Sequence, residues 1–509
     1  MTESQQTTIA FLEAALADRP IRRVETHISL VLMAGDTVFK LKKTLKLPYA
    51  DFSTPQLRLA ACENEVALNR RTAPDLYRGI RRITRTADGG VEFDGPGDLI
   101  DAAVEMHRFD EDELFDRLAE RHSLSLPLME ETALAIARFH DKADVLHTGG
   151  GAANLRAVLD INRSGFATSH VFTPGRIDAL DARLRHHLDR HAERLDAREK
   201  DGKLRLCHGD LHLRNIYRTE TGPRLFDCIE FNDAIASVDV LYDLAFLLMD
   251  LWHRGLPDLA NAVANRYIDR TGDDDGFILL PLLMAIRAEV RAHVTATQAE
   301  HAGKNEDALR KLAGEYFDLA EGLLGHTPPC LIAMGGFSGS GKSTLAVAIA
   351  PMIGQPPGAR LLESDRLRKS LFGAGLAERL PLEAYTSDIS QTVYRQLFEK
   401  AEAILREGGC VVVDAVFDRA DDRATLAEIA QRLAVPFYGY WLDMDGECLK
   451  ARILSRCQGD SDATVDVLEK QMARDTGPME WTKLNAASSS QNLAAQVLKA
   501  MKADQPASI

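Results

Sequence analysis

The chain has 509 residues, 45% of them hydrophobic and 27% charged, with a formal net charge of −15. That length predicts two to four domains with sizeable cores. The acidic balance argues against nucleic acid as a partner, because non-specific binding needs clustered Lys and Arg. Seven cysteines, at 62, 207, 228, 330, 410, 448 and 457, form no Cys-x-x-Cys pair. They predict free thiols in a reducing cytosol rather than a disulfide framework. The N-terminus has no leader pattern, and the apolar runs Leu244–Trp252 and Phe277–Ile286 are too short to span a bilayer. The expectation is a cytoplasmic protein with no membrane partner.

In chain order, residues 1–20 predict a helix ended by Pro20, and residues 24–43 a hairpin turning at Ala34-Gly35-Asp36. Val38–Lys42 is its second strand. Ser53–Arg71 has helical spacing, Asp101–Met106 reads as a short strand, and helical patterns run from Glu130 to about 200. Leu204–Cys207, Ile216–Arg218 and Arg224–Phe226 read as short strands, and Ser237–Trp252 and Gly276–Leu324 as helices. Pro328-Pro329 marks a break. Strands then follow near 330–334, 360–363, 410–414 and 437–442, with helical patterns between them. Such alternation predicts a parallel sheet covered by helices. The tail from Lys502 reads as loose. The expected domains are 1–327 and 328–509.

Two phosphate-handling signatures stand out. Gly336-Phe337-Ser338-Gly339-Ser340-Gly341-Lys342-Ser343 follows the strand Leu331–Met334 and opens a helix, the context a P-loop requires. Its glycines let backbone N–H groups face a phosphate chain, and the helix N-terminus adds partial positive charge. Lys342 would meet the β- and γ-phosphates, and Ser343, with Thr344 beside it, would face Mg²⁺. Asp414 ends the apolar run Cys410–Val413, where an open α/β sheet binds ligands, so it is either a second metal group or a loop cap. Asp365 lies at another strand-to-helix junction. It is either a base for a substrate hydroxyl or a helix N-cap, and Arg368, one turn on, could hold a substrate anion. Arg452 and Arg456 share a helix face and either close over phosphates or form a surface pair.

The second signature is His208-Gly209-Asp210-Leu211-His212-Leu213-Arg214-Asn215, followed by Asp227. It has the spacing of a kinase catalytic loop. Phosphoryl transfer of that type needs a Lys on the phosphates, a Glu to orient it, a base and metal-holding groups. Lys40 is the Lys, with Lys42 on the same face as its competitor. Glu65 is the Glu, with Glu63 as competitor. Asp210 is the base, and Asn215 and Asp227 are the metal groups.

These residues carry two resemblances. Residues 24–320 resemble aminoglycoside phosphotransferases and choline-kinase-like enzymes, with Asp227 and Glu230 similar to their Asp-x-x-Glu metal strand and Asp239 and Asp243 to their structural positions. Leu213-Arg214 departs from their usual Pro-Gly. That resemblance implies an α+β protein-kinase-like fold, with Glu105 and Met106 as the hinge against adenine. Residues 328–500 resemble small P-loop kinases, among them polynucleotide kinase, chloramphenicol phosphotransferase, zeta toxins and gluconate kinase. Ser364-Asp365-x-x-Arg368 is similar to their acceptor-positioning segment and Arg452-x-x-x-Arg456 to their lid. That resemblance implies an α/β P-loop NTPase fold. The joined architecture is similar to a bacterial bifunctional family labelled "aminoglycoside phosphotransferase / ATP-binding protein". The resemblances imply a two-domain, ATP-dependent kinase (GTP being the alternative nucleotide) that uses Mg²⁺ on hydroxyls of small molecules. Two alternatives remain: one P-loop kinase or ATPase beside a ligand-binding kinase-like module, or a kinase acting on RNA ends or protein.

Overall fold

A computed structural model describes residues 3–26, 28–47, 50–301, 303–375, 378–455 and 464–504. The chain packs as two compact units, Met1–Ser164 with Leu188–Asp250, and Gly165–His187 with Leu251–Ile509. The packing division therefore falls some 75 residues before the Pro328-Pro329 break. Among the described residues, no helix is long and apolar enough to cross a membrane.

The first unit is built on an antiparallel sheet. Its strands run in the order Arg22–Glu25, Ser29–Ala34, Thr37–Lys42, Leu99–His107, Tyr77–Arg85 and Val91–Phe93. Successive side chains of a strand point to opposite faces. Leu30, Leu32, Phe39 and Leu41 therefore meet Ile9, Leu12 and Leu16 of the helix Glu3–Ala15 on one face. Met33, Val38, Val104 and Met106 meet Cys62 and Val66 of the helix Pro55–Asn69 on the other. Thr54 caps that helix, its hydroxyl accepting from the Leu57 N–H at 3.3 Å, and Pro55 opens it. The expected hairpin is present, but strand Tyr77–Arg85 was not legible: Arg78, Arg81, Arg82 and Arg85 break its alternation.

Further on, Leu204–Leu206 pairs with Ser237–Asp239, and Ile216–Thr219 with Gly222–Leu225. The helix expected from Ser237 begins instead at Val240. Ser237–Asp239 is held extended by the ladder, and the Asp239 carboxylate accepts from the Leu241 N–H at 2.8 Å, which starts the helix there. The expected helix 276–324 is two helices, Leu280–Ala299 and Glu306–Leu323.

In the second unit, five parallel strands stand in the order Arg360–Glu363, Val411–Asp414, Leu331–Gly335, Phe437–Asp443 and Thr482–Asn485. Ile332 and Met334 pack on Leu345 and Ile349 on one face, and Leu331 and Ala333 pack with Leu397 and Leu426 on the other. Burial on both faces explains the unbroken apolar runs. The fifth strand and the helix Ser490–Asp504 were not expected. Lys502 lies inside that helix, so the tail is not loose there. Leu493, Val497 and Met501 anchor the helix to the core.

Candidate active sites

In the first unit, strand alternation puts Lys40 and Lys42 on the face of the helix Pro55–Asn69, and both reach Glu65. Lys40 Nζ lies 2.7 Å from Glu65 Oε1 and also pairs with Asp227. Lys42 Nζ lies 2.6 Å from Glu65 Oε2 and also pairs with Glu230. Exposure separates the two. The Lys42 side chain is fully enclosed, whereas Lys40 is 13% exposed and its partner Asp227 41% exposed. Lys40 therefore faces the open side with Asp227. Burial disfavours the Lys40 cation, but Asp227, Glu65 and Glu230 outweigh it and hold it well above the usual lysine range. Burial likewise opposes ionisation of Glu65, and the two ammonium groups hold it down at about 2. Glu63 is exposed on the far side of its helix and takes no part. Glu230, spaced like a metal group, is instead turned onto Lys42.

The start of the loop 207–215 is held by a buried carboxylate. Asp243 accepts from the backbone N–H of His208 at 3.0 Å and of Gly209 at 2.8 Å, and lies 3.1 Å from His140 Nε2. Gly209 has φ +81°, which favours glycine. Asn215 Nδ2 donates to the Asp210 carbonyl at 2.8 Å and to Asp210 Oδ2 at 2.9 Å. Asp210 and Asn215 thus form one unit. Sequence reading missed three supporting residues. Asp250 accepts from the Leu213 N–H at 3.1 Å, Asn69 from the Cys228 N–H at 2.8 Å, and the Tyr77 hydroxyl from the Asp227 N–H at 3.3 Å. Each acts on backbone far away in sequence, so no local pattern marks it.

The residues expected as hinge are strand residues. Glu105 and Met106 lie inside the strand Leu99–His107, paired on both flanks. The Glu105 carboxylate also accepts from Arg78 at 3.2 Å and Arg81 at 3.3 Å. The first residues beyond the strand are Arg108–Asp110.

In the second unit, Gly336, Gly339 and Gly341 have φ of +141°, +89° and +94° and curl the loop between strand Leu331–Gly335 and helix Lys342–Ile349. A Cβ at Gly336 would lie 2.8 Å from the Leu442 carbonyl oxygen. Lys342, Ser343, Thr344, Glu363, Asp365, Arg368 and Asp414 line one cavity of about 150 Å³. The first three parallel strands end side by side there, with Glu363 in register with Asp414. Asp365 is not the N-cap of its helix. That place belongs to Glu363, and Asp365 is the second helical residue, facing the cavity. Burial raises Asp414, opposed by Lys342 and Ser343, and pushes Glu363 up to about 8. Arg368 donates to the Ala384 carbonyl at 2.6 Å, and its guanidinium lies over the Tyr385 ring at 5.1 Å. Arg452 donates to the carbonyls of Ser340 at 3.5 Å and Ala486 at 3.0 Å, which brings it to the P-loop. Arg456 lies outside the described residues. The Ser338 N–H donates to Gln471 at 3.0 Å, and the buried Ser340 hydroxyl has no hydrogen-bond partner among the described residues. A cradle of turned N–H groups, an orphan hydroxyl and a Lys beside clustered carboxylates is a donor set that fits a phosphate chain with its cation.

The family described as "Phosphotransferase enzyme family" matches residues 94–276, and the family described as "AAA domain" matches 331–478. The uncharacterized protein Rv2004c of Mycobacterium tuberculosis (strain ATCC 25618 / H37Rv) is 30% identical over 482 residues, 91% of this chain and 92% of its own length. The uncharacterized protein Mb2027c of Mycobacterium bovis matches to the same extent. The chain belongs to their family. It joins a phosphotransferase-type N-terminal module to a P-loop kinase-like C-terminal module, and it is a kinase. Among solved structures, a choline/ethanolamine kinase family protein from Mesorhizobium loti aligns over 62% of this chain and 94% of its own, at 15% identity and a TM-score of 0.39. A sugar kinase from Janibacter sp. HTCC2649 aligns over 34% and 95%, at 21% identity and a TM-score of 0.28.

Proposed function

We propose that this kinase is bifunctional, with one site in residues 1–327 and another in 328–509, each moving the γ-phosphoryl group of ATP to a hydroxyl of a small molecule. GTP fits the same donor set. Asp210 takes the hydroxyl proton in the first site as the oxygen attacks phosphorus and the bond to the bridging oxygen breaks, releasing ADP. Asp365 does the same in the second. Lys40, oriented by Glu65, holds the phosphates of the first nucleotide. Gly336, Ser338, Gly339, Ser340, Gly341, Lys342, Ser343 and Thr344 hold those of the second, with Arg452 closing over them and Arg368 beside the acceptor. Asn215 and Asp227 in one site, and Ser343 and Asp414 in the other, would hold Mg²⁺, which when bound neutralises the charge of the transferring group.

The observation that carries this reading is the convergence of separate elements: Lys40 meets both Glu65 and Asp227, while Asp210 and Asn215 are locked together. A one-enzyme protein would not need the first set assembled.

The test is phosphorylation of a bacterial metabolite extract with ATP, read by mass spectrometry. Wild type, Asp210→Asn and Lys342→Ala are compared. Products lost separately in the two variants are expected, and they would name both acceptors. Products lost with Lys342→Ala alone would reduce the N-terminal module to a ligand-binding role.

A further inference from the structure

The helix Pro257–Thr271 lies within the stretch matched by the phosphotransferase family, yet it is packed in the same compact unit as the P-loop. Asn261, Asn265 and Asp269 recur at every fourth residue, so they form one stripe along it. That stripe meets the strand Arg360–Glu363, which stands at the edge of the parallel sheet, with no strand among the described residues on its outer side.

The contacts follow the strand toward its C-terminal end. Asn261 Nδ2 donates to the carbonyls of Pro357 and Ala359, each at 3.0 Å. Asn265 Nδ2 donates to the Ala359 carbonyl at 3.2 Å, and its Oδ1 accepts from the Leu361 N–H at 2.7 Å. Asn265 thus does for the edge what a neighbouring strand would do. Asp269 then takes the side chains. Its Oδ1 lies 2.6 Å from Arg360 Nη2 and its Oδ2 3.4 Å from Arg366 Nη1. Arg366 in turn pairs with Glu363, which lines the cavity beside Asp365. Arg366 follows Asp365 directly in the first turn of the helix Ser364–Leu371.

We infer that Asp269 is a positioning residue for the P-loop reaction: through Arg366 and Glu363 it fixes the strand-to-helix turn that aims Asp365 at the acceptor. This rests on the reading of Lys342 and Asp365 as a phosphoryl-transfer site. The chain of contacts runs to the acceptor side of the cavity, where Glu363 stands beside Asp365, so its loss is expected in turnover rather than in nucleotide affinity. Misplacing a reacting group by about 1 Å can cost about a hundredfold in rate, so a smaller shift of Asp365 is expected to cost about tenfold.

The test uses the full chain in an Asp210→Asn background, so that one site turns over. Magnesium-ATP hydrolysis is measured with water as acceptor. Asp269→Asn is expected to lower kcat about tenfold and leave KM for ATP within about twofold. Asp269→Glu, which keeps the charge, is expected to restore most of the rate. Arg366→Gln is expected to reproduce the loss, and the double variant Asp269→Asn/Arg366→Gln to be no worse than Arg366→Gln alone. Arg366→Gln leaves the helix stripe intact, so it serves if Asp269→Asn fails to fold. An unchanged kcat, a rise in KM at constant kcat, or additive losses would overturn the inference. Turnover that survives Lys342→Ala would overturn the P-loop reading beneath it, a result distinct from a loss in Lys342→Ala with full activity in Asp269→Asn.

Discussion

Lys40 and Lys42 stand two residues apart on one strand and share Glu65, yet the structure gives them different tasks, and substitution should separate them. Lys42→Met removes the ammonium group that pairs with the buried Glu230 carboxylate. Breaking a buried pair by deleting one partner costs about 3–5 kcal/mol, because the other charge stays desolvated. Lys40→Met leaves Glu65 paired with Lys42, and Asp227 is exposed enough to be rehydrated. Its cost should be about 1 kcal/mol or less, the scale of an accessible pair. Hydrogen exchange over residues 29–42 measures this locally, which suits a chain of two units better than one global melting curve. The Lys42→Met loss should also depend on pH. Glu230 already sits above its ordinary value through burial, with Lys42 opposing, and without Lys42 it rises further. A carboxyl whose folded value is raised loses stability as pH climbs, so the variant should be weakest at alkaline pH and recover toward pH 5. Adding Glu230→Leu should return stability to within about 1 kcal/mol of wild type, since an apolar pair can replace a buried ionic one. Turnover at the first site should vanish in Lys40→Met. A stable but inactive Lys42→Met, with an active Lys40→Met, would reverse the assignment.

Asp243→Asn keeps the side-chain volume but places an amide donor against the His208, Gly209 or His140 donors. It should cost about 2–3 kcal/mol, read as faster exchange of the His208 and Gly209 amides, and abolish first-site turnover. Asp365→Asn should remove the product that Lys342→Ala removes and spare the product that Asp210→Asn removes, checked by mass spectrometry of the same reactions. Burial lowers His293 from 6.5 to about 4. Because the folded value is depressed, stability is full above pH 6.5 and falls below it, by about 2 kcal/mol at pH 5. His293→Leu should flatten that acid limb in thermal unfolding between pH 7 and 5.

Both sites were legible in the sequence to the degree that their residues sit in short stretches with fixed spacing. The P-loop and the segment 208–215 needed neighbours a few residues away, and local pattern carried them. The competing assignments were not legible. Lys40 and Lys42 share a strand face by alternation, and what separates them is the reach of Asp227 and Glu230, more than 180 residues on. The resemblance placed Glu230 on a metal, and a buried lysine claimed it instead. The hinge at Glu105 and Met106 rests on the resemblance alone, and their second ladder lies against the strand Tyr77–Arg85, whose arginines hide it in the sequence. The Asn261-Asn265-Asp269 stripe is regular in the sequence, but its spacing fits any solvated helix face. Its meaning depends on an edge strand about 95 residues away.

That edge has a consequence for how the gene can be divided. Pro328-Pro329 looks like a seam, and a fragment cut there would carry every P-loop residue. It would also carry Arg360, 1% exposed, after losing Asp269, Asp274 and Asn265, its acceptors across the cut. The outer rim of the sheet would lie bare, a template for pairing with other copies. The fragment from Cys330 is expected to be insoluble when expressed alone, and a chain begun at Leu251 soluble. A gene division that respects the packing would then fall near Leu251 and not at the prolines, because the P-loop sheet is finished by a helix that lies well before them.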